Sequence, residues 1–162
     1  MMKNKSILFM TQAAMIATLY VILTVVFQAF SFGQIQVRIA EALVILPLFT
    51  PAAVPGLFVG CLIGNIIGGA ALWDIFFGSL ATLIGAVGTR LLKNQSPVLA
   101  TLPPILSNAL IIPLILRYTY GVNLPVYIMM ATVGGGEILS CGVLGMILYA
   151  SLKQHRHKIF SS

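Results

Sequence analysis

Glu41, Asp74 and Glu137 are the only acidic residues in a chain of 162, and each stands within or beside a long apolar run. A carboxylate at membrane depth costs about 2.5 kcal/mol or more, so such residues face a cavity or a partner. Glu137 is the sharpest case. It directly follows Gly134, Gly135 and Gly136 and lies about eleven residues into the last apolar stretch, roughly 16 Å along a helix axis at about 1.5 Å per residue. Three consecutive glycines expose backbone polar groups, which is tolerated at that depth beside protein or a water-filled cavity. Glu137 therefore meets either a solute or an internal ion-pair partner, Arg38 or Arg117. Glu41 stands one turn after Arg38 in Arg38-Ile39-Ala40-Glu41, a spacing that allows pairing along one helix face. That pair either closes the start of a helix or turns inward toward a polar solute. Asn65 and Asn108 carry amide donors and acceptors that need partners away from water, from a solute or from a neighbouring helix. Asp74 follows Trp73 at the expected outer start of a helix. There an interfacial Trp and an acid at a helix amino terminus account for both residues without a ligand.

Other chemistry lacks its parts. The two histidines, His155 and His157, belong to a basic tail, and no metal-ligand spacing occurs in the apolar runs. No phosphate-binding loop of the form GxxxxGK[ST] is present, so no nucleotide hydrolysis is expected here. Neither an enzyme nor a metal centre is the expectation, and active transport would need energy from another chain. Cys61 and Cys141 sit in apolar stretches, where cysteine behaves as a small buried hydrophobe, and imply no disulfide framework.

The elements that position these residues follow from composition. Hydrophobic residues make up 59% of the chain and charged residues 7%, with a mean hydropathy of +1.06, against roughly 25% charged in soluble domains. A bilayer core of about 30 Å needs about 20 apolar residues per helix. The reading is an all-α integral membrane protein, one domain over 1–162, with helices at about 7–30, 39–50, 53–70, 72–92, 98–117 and 126–152. The run from Ile39 to Ala71 is too long for one span and carries Pro47, Pro51 and Pro55, so it is divided in two. Lys and Arg favour the cytoplasmic side. Six spans place Lys3/Lys5, the Arg90/Lys93 loop and the basic tail with Lys153, Arg156 and Lys158 all inside, both termini cytoplasmic, and leave Arg38, Asp74 and Arg117 near the outer surface. The first run exceeds the roughly 7–15-residue core of a cleaved signal peptide and is expected to stay as a span. The net charge of +6 reads as topology signal and anionic-lipid contact, with nucleic acid excluded as a partner.

Small residues form two stripes. Ala13 and Ala17, with Ala14 and Thr18 beside them, offer a close-approach face on the first helix, for packing within the chain or for another protein. Gly56, Gly60, Gly64 and Gly68 form a longer stripe on the third, read as internal helix packing.

Several blocks in order resemble a known family, the queuosine-precursor (QueT-like) substrate-binding subunits of energy-coupling-factor (ECF) transporters. They are Arg38-Ile-Ala-Glu41-Ala-Leu-Val-Ile-Leu-Pro47, Pro55-Gly-Leu-Phe-Val-Gly-Cys-Leu-Ile-Gly-Asn65, Asp74-Ile-Phe-Phe-Gly-Ser-Leu-Ala-Thr-Leu83, Pro103-Pro-Ile-Leu-Ser-Asn108-Ala-Leu and Gly134-Gly-Gly-Glu137-Ile-Leu-Ser-Cys141. The resemblance implies a six-helix S component of a bacterial cell membrane with a pocket opening outward. It docks on a transmembrane coupling (T) subunit driven by two cytoplasmic ATPases, which use the ATP; this chain itself carries no cofactor. Ala13 and Ala17 look like the docking site for that subunit. The implied ligand is a deazaguanine such as prequeuosine or queuine, met by Glu137, Glu41, Asn108, Asn65, Arg38, Asp74 and Trp73. A carboxylate accepts the adjacent N–H donors of a guanine-like edge, and a second acid suits the aminomethyl cation of prequeuosine. An S component for another vitamin-like solute, a structural or channel-like membrane protein, and an intramembrane enzyme are the competing expectations.

Overall fold

The computed structural model describes residues 2–28 and 37–154, with side chains from residue 5 onward. Residues 29 and 30 of the expected first span, and His155, Arg156, His157 and Lys158 of the tail, lie outside the described residues. Among those described, all regular structure is helical: α1 (Met2–Val26), a 3-10 helix (Ile39–Leu48), α2 (Ala53–Ile67), α3 (Leu72–Leu91), α4 (Pro97–Ala100), α5 (Leu102–Tyr118), α6 (Val126–Glu137), a π-helical segment (Ile138–Leu144) and α7 (Gly145–Lys153).

Among the described residues, four stretches are long and apolar enough to cross a membrane: Lys5–Val26, Leu72–Leu91, Pro97–Tyr118 and Val126–Lys153. They match the four unbroken spans expected from the sequence. The division of the Ile39 to Ala71 run is also present, with the chain turning at 49–52 around Pro51. Its two parts differ from the expectation in length and kind. A ten-residue 3-10 helix reaches about 20 Å at about 2.0 Å per residue. The fifteen residues of α2 reach about 22 Å, so each falls short of an approximately 30 Å hydrocarbon core.

The 3-10 helix is the hub. Every residue from Ala40 to Pro47 is buried, as a sequence apolar at every position but Glu41 requires, since a helix without a polar face must be covered all round. α1 to α2, α2 to α3, α3 to α5 and α5 to α6 pack in sequence order, while the 3-10 helix touches α1, α3, the π segment and α7. α1 buries Ile16, Ala17, Tyr20 and Thr24 and exposes Met10, Met15, Leu19, Ile22 and Val26. One stripe thus faces the bundle, and the apolar remainder suits lipid.

The small-residue stripes meet each other. A Cβ added at Gly56 would stand 2.7 Å from Ala13 O, and one at Gly60 would stand 2.8 Å from Tyr20 Cβ and 2.9 Å from Ala17 O. Gly64 faces Thr24 in the same way. The backbones of α1 and α2 therefore approach as glycine alone permits, and dispersion contacts replace the hydrophobic drive that lipid removes. Gly60→Leu is expected to destabilise the protein by about 3 kcal/mol, at the upper end for overpacking because backbone would have to yield. Thermal unfolding of the detergent-solubilised protein measures it, and an unchanged midpoint would show that the α1–α2 seam is loose.

α2 stops at a glycine. Ala70 N–H donates to Asn65 O at 2.9 Å and Gly68 N–H to Gly64 O at 2.8 Å, with Gly69 at φ 72°, the left-handed residue that closes a helix end. This termination holds Asn65 one turn from the start of α3, where Asp74 lies.

Candidate functional site

Six parts of the fold bring polar side chains to one buried locus: Tyr20 from α1, Glu41 from the 3-10 helix, Cys61 and Asn65 from α2, Asp74 and Thr82 from α3, Asn108 from α5, and Glu137 with Cys141 from the last span. None of them exceeds 2% exposure. Arg38 stands at the start of the 3-10 helix, 4% exposed.

Glu41 is held on one oxygen and open on the other. Tyr20 Oη donates to Glu41 Oε1, and Thr82 Oγ1 donates to the same oxygen at 2.9 Å. Glu41 Oε2 is buried and has no hydrogen-bond partner among the described residues. Glu137 sits opposite. Its Oε2 accepts from Cys141 Sγ at 3.2 Å, and Cys141 also approaches Glu41 O at 3.5 Å. Glu41, Glu137 and Cys141 each offer one ligand atom, all within 4.8 Å of one another. Two carboxylates this close in a poorly screened interior repel strongly unless a proton or a cation lies between them. The trio can therefore hold a cation, whether an organic ammonium or a metal ion.

Asn108 lies beside Glu137, close enough to act on it, yet among the described residues neither of its amide atoms finds a partner in hydrogen-bonding geometry. Ser140 Oγ, also fully buried, has none either. An unmet buried polar group costs about 1–3 kcal/mol, so Glu41 Oε2, the Asn108 amide and Ser140 Oγ, all buried without a partner among the described residues, are groups able to meet polar atoms from elsewhere.

At the Arg38 end of this locus lies an ion-pair cluster. Arg38 Nη2 lies 3.6 Å from Asp74 Oδ1, and Tyr120 Oη donates to Asp74 Oδ2 at 3.1 Å while accepting from Ala71 N–H at 3.0 Å. Partial burial pushes the Tyr120 phenol above its ordinary range, so it remains protonated and a donor at neutral pH. Asn65 Nδ2 reaches Asp74 O at 3.4 Å and ties α2 to α3.

The structure thus rearranges the pairings expected from spacing. Arg38 pairs with Asp74, because the tight 3-10 turn that links Glu41 N–H to Arg38 O at 2.9 Å sends Glu41 to Tyr20 and Thr82. Asp74, expected at the outer surface, is 1% exposed, since α3 turns Leu72 and Trp73 outward and the next residue inward. Trp73 itself is 59% exposed and stacks on Phe77 with ring centroids 5.7 Å apart, facing a groove of α3 and α5 and away from the acids. Arg117 donates to Leu124 O at 3.1 Å and does not join Glu137. Ala17 is buried against Gly60 and Ala13 half-buried against Gly56, while Ala14 and Thr18 face outward.

The helix does not break at the three glycines. It continues through Glu137 and widens into the π segment immediately after it, a local underwinding often found at functional sites. Cys141 of that segment reaches the acids, at Glu137 Oε2 and Glu41 O. Tyr20, Thr82, Ser140 and the two thiols were not among the expected site residues. A hydroxyl in a membrane helix is common, and only its position relative to a carboxylate on another helix gives it meaning.

A family model described as QueT transporter matches residues 10–154. The chain belongs to the QueT transporter family. Consistent with it, the four long apolar helices make this a multi-pass membrane protein. The chain is also similar to the queuosine precursor transporter QueT of Lactococcus lactis subsp. cremoris (strain MG1363), 36% identical over 86 residues, which is 51% of this chain and 50% of that relative. The match thus spans about half the length of the curated relative. No solved structure matches. The matched range of the family contains every residue of the acid cluster, from Tyr20 to Cys141.

Proposed function

We propose that this protein is the solute-capturing S component of an ATP-driven ECF uptake system in a bacterial cytoplasmic membrane, and that its solute is a deazaguanine precursor of queuosine. The observation that carries the proposal is the close pair Glu41 and Glu137, with Glu41 Oε2 and both Asn108 amide atoms buried and without a hydrogen-bond partner among the described residues. A guanine-like edge presents adjacent N–H donors to one carboxylate, the aminomethyl cation of prequeuosine answers the second, and an amide serves the ring carbonyl. Family membership supports transport as the activity, and the relative's name supports the solute.

In this reading six helices cross or enter the bilayer, both termini are cytoplasmic, and the Arg38–Asp74–Tyr120 cluster lies toward the outside. The T subunit docks on the cytoplasmic half of α1. Ala13 and Ala17 let α1 seat tightly on α2, and Ala14, Met15 and Thr18 are left exposed there. Two partner ATPases supply the energy that this chain cannot.

Uptake of labelled prequeuosine tests the proposal in cells lacking their own route. Accumulation is expected when this chain and a coupling module are expressed together, and neither alone should suffice. Accumulation with this chain alone would make it a self-sufficient carrier, and none with both would remove the ligand or the partner.

A further inference from the structure

We propose that a recess at the far end of the bundle from the Arg38–Asp74 cluster binds a phosphate group, presented by the headgroup of an anionic phospholipid. The recess, of about 320 Å³, lies where the end of α3, the loop to α4, the end of the 3-10 helix and the last turn of α7 meet. Arg90, Lys93 and Lys153 line it together with Asn94 and Gln95. Phe49 and Tyr149 form one wall, their ring centroids 5.3 Å apart.

Three features distinguish it from a solvated basic surface. Arg90 is pre-positioned, its Nη1 donating to Pro47 O at 2.8 Å, so part of the ordering cost of an anion contact is already met. The ammonium groups of Lys93 and Lys153 make no ion pair or hydrogen bond among the described residues. No Asp or Glu exists to neutralise them, because Glu41, Asp74 and Glu137, the chain's whole acidic complement, are all buried in the solute site. The helix dipole alone does not account for the arrangement. It favours a cation in the last turn of α3 and of α7, where Arg90 and Lys153 stand, but it does not gather cations from two helices and a loop around one recess. All three lie at the ends of membrane-crossing stretches, the depth at which phosphates of a leaflet reside, and basic pockets between helix ends hold such headgroups. The inference does not depend on the identity of the solute.

The test uses the full protein incorporated into vesicles of equal parts phosphatidylglycerol and phosphatidylcholine, extracted gently and weighed by native mass spectrometry. The parent is expected to retain phosphatidylglycerol over phosphatidylcholine. Lys93→Gln/Lys153→Gln, which leaves Arg90 on Pro47 and so preserves the fold, is expected to lose about tenfold of that preference. A control with the same loss of charge elsewhere, Lys5→Gln/Arg117→Gln, should keep it. Displacement by millimolar inorganic phosphate would assign the recess to free phosphate, whereas resistance to it assigns the lipid headgroup. Equal retention by all three proteins, or equal loss in the control, overturns the proposal.

Discussion

Glu137→Gln and Glu41→Gln are each expected to weaken deazaguanine binding about 100-fold. Truncating one side of a desolvated charged hydrogen-bond pair costs about 2–5 kcal/mol, with tenfold in affinity for each 1.4 kcal/mol or so. The same substitutions should leave thermal stability unchanged or raised, because each removes one member of a like-charged pair whose ligand atoms lie within 4.8 Å. The two outcomes together separate a ligand contact from a structural role. An acid that merely braces the bundle would lower the unfolding midpoint when neutralised. Glu41→Gln should in addition disturb Tyr20 and Thr82, which both donate to Glu41 Oε1, whereas Glu137→Gln affects mainly Cys141. Parental affinity in both variants would take the acids out of the site.

Arg38→Met is expected to destabilise the protein by about 3–5 kcal/mol, since it strands Asp74 as a buried carboxylate without its cation. Asp74→Asn added to it should recover much of that loss, because an amide at this position carries no charge and still accepts from Tyr120. Denaturation of the three detergent-solubilised proteins in parallel measures the coupling. Additive losses in the double variant would mean that Arg38 and Asp74 act independently, and that the 3.6 Å pair contributes nothing as a pair.

The parts of this architecture that the sequence reveals are those with a large energetic signature. A carboxylate in an apolar run is expensive wherever it stands, so Glu41 and Glu137 announce themselves, and four runs of about 20 or more apolar residues announce four spans. The glycine stripe of α2 is legible as packing, the reading that one-turn spacing of Gly56, Gly60 and Gly64 favours over ligand contact and that their approach to α1 bears out. What was illegible depends on tertiary position. The apolar run from Ile39 to Leu48 reads alike as α or 3-10 helix, and its burial on all sides follows from its place at the hub. Asp74 reads as a surface acid beside an interfacial Trp73, and only the rotation of α3 turns one inward and the other out. Arg38 and Glu41 are neighbours in sequence, but Asp74 of α3 takes the cation and Tyr20 with Thr82 takes the acid. Hydroxyls carry too little cost of their own to be singled out before the helices are placed.

The position of Trp73 also decides how binding should be observed. Its ring stacks on Phe77 toward an outer groove, so its fluorescence is a poor reporter for events between Glu41 and Glu137, and heat release is the better signal. Calorimetric titration of the purified protein with prequeuosine, beside guanine and riboflavin, tests the central claim most directly. Saturable heat from prequeuosine, silence from riboflavin and loss of the signal in Glu137→Gln are the predicted result. A flat titration from a demonstrably folded sample, or saturable binding that Glu137→Gln leaves intact, would contradict it.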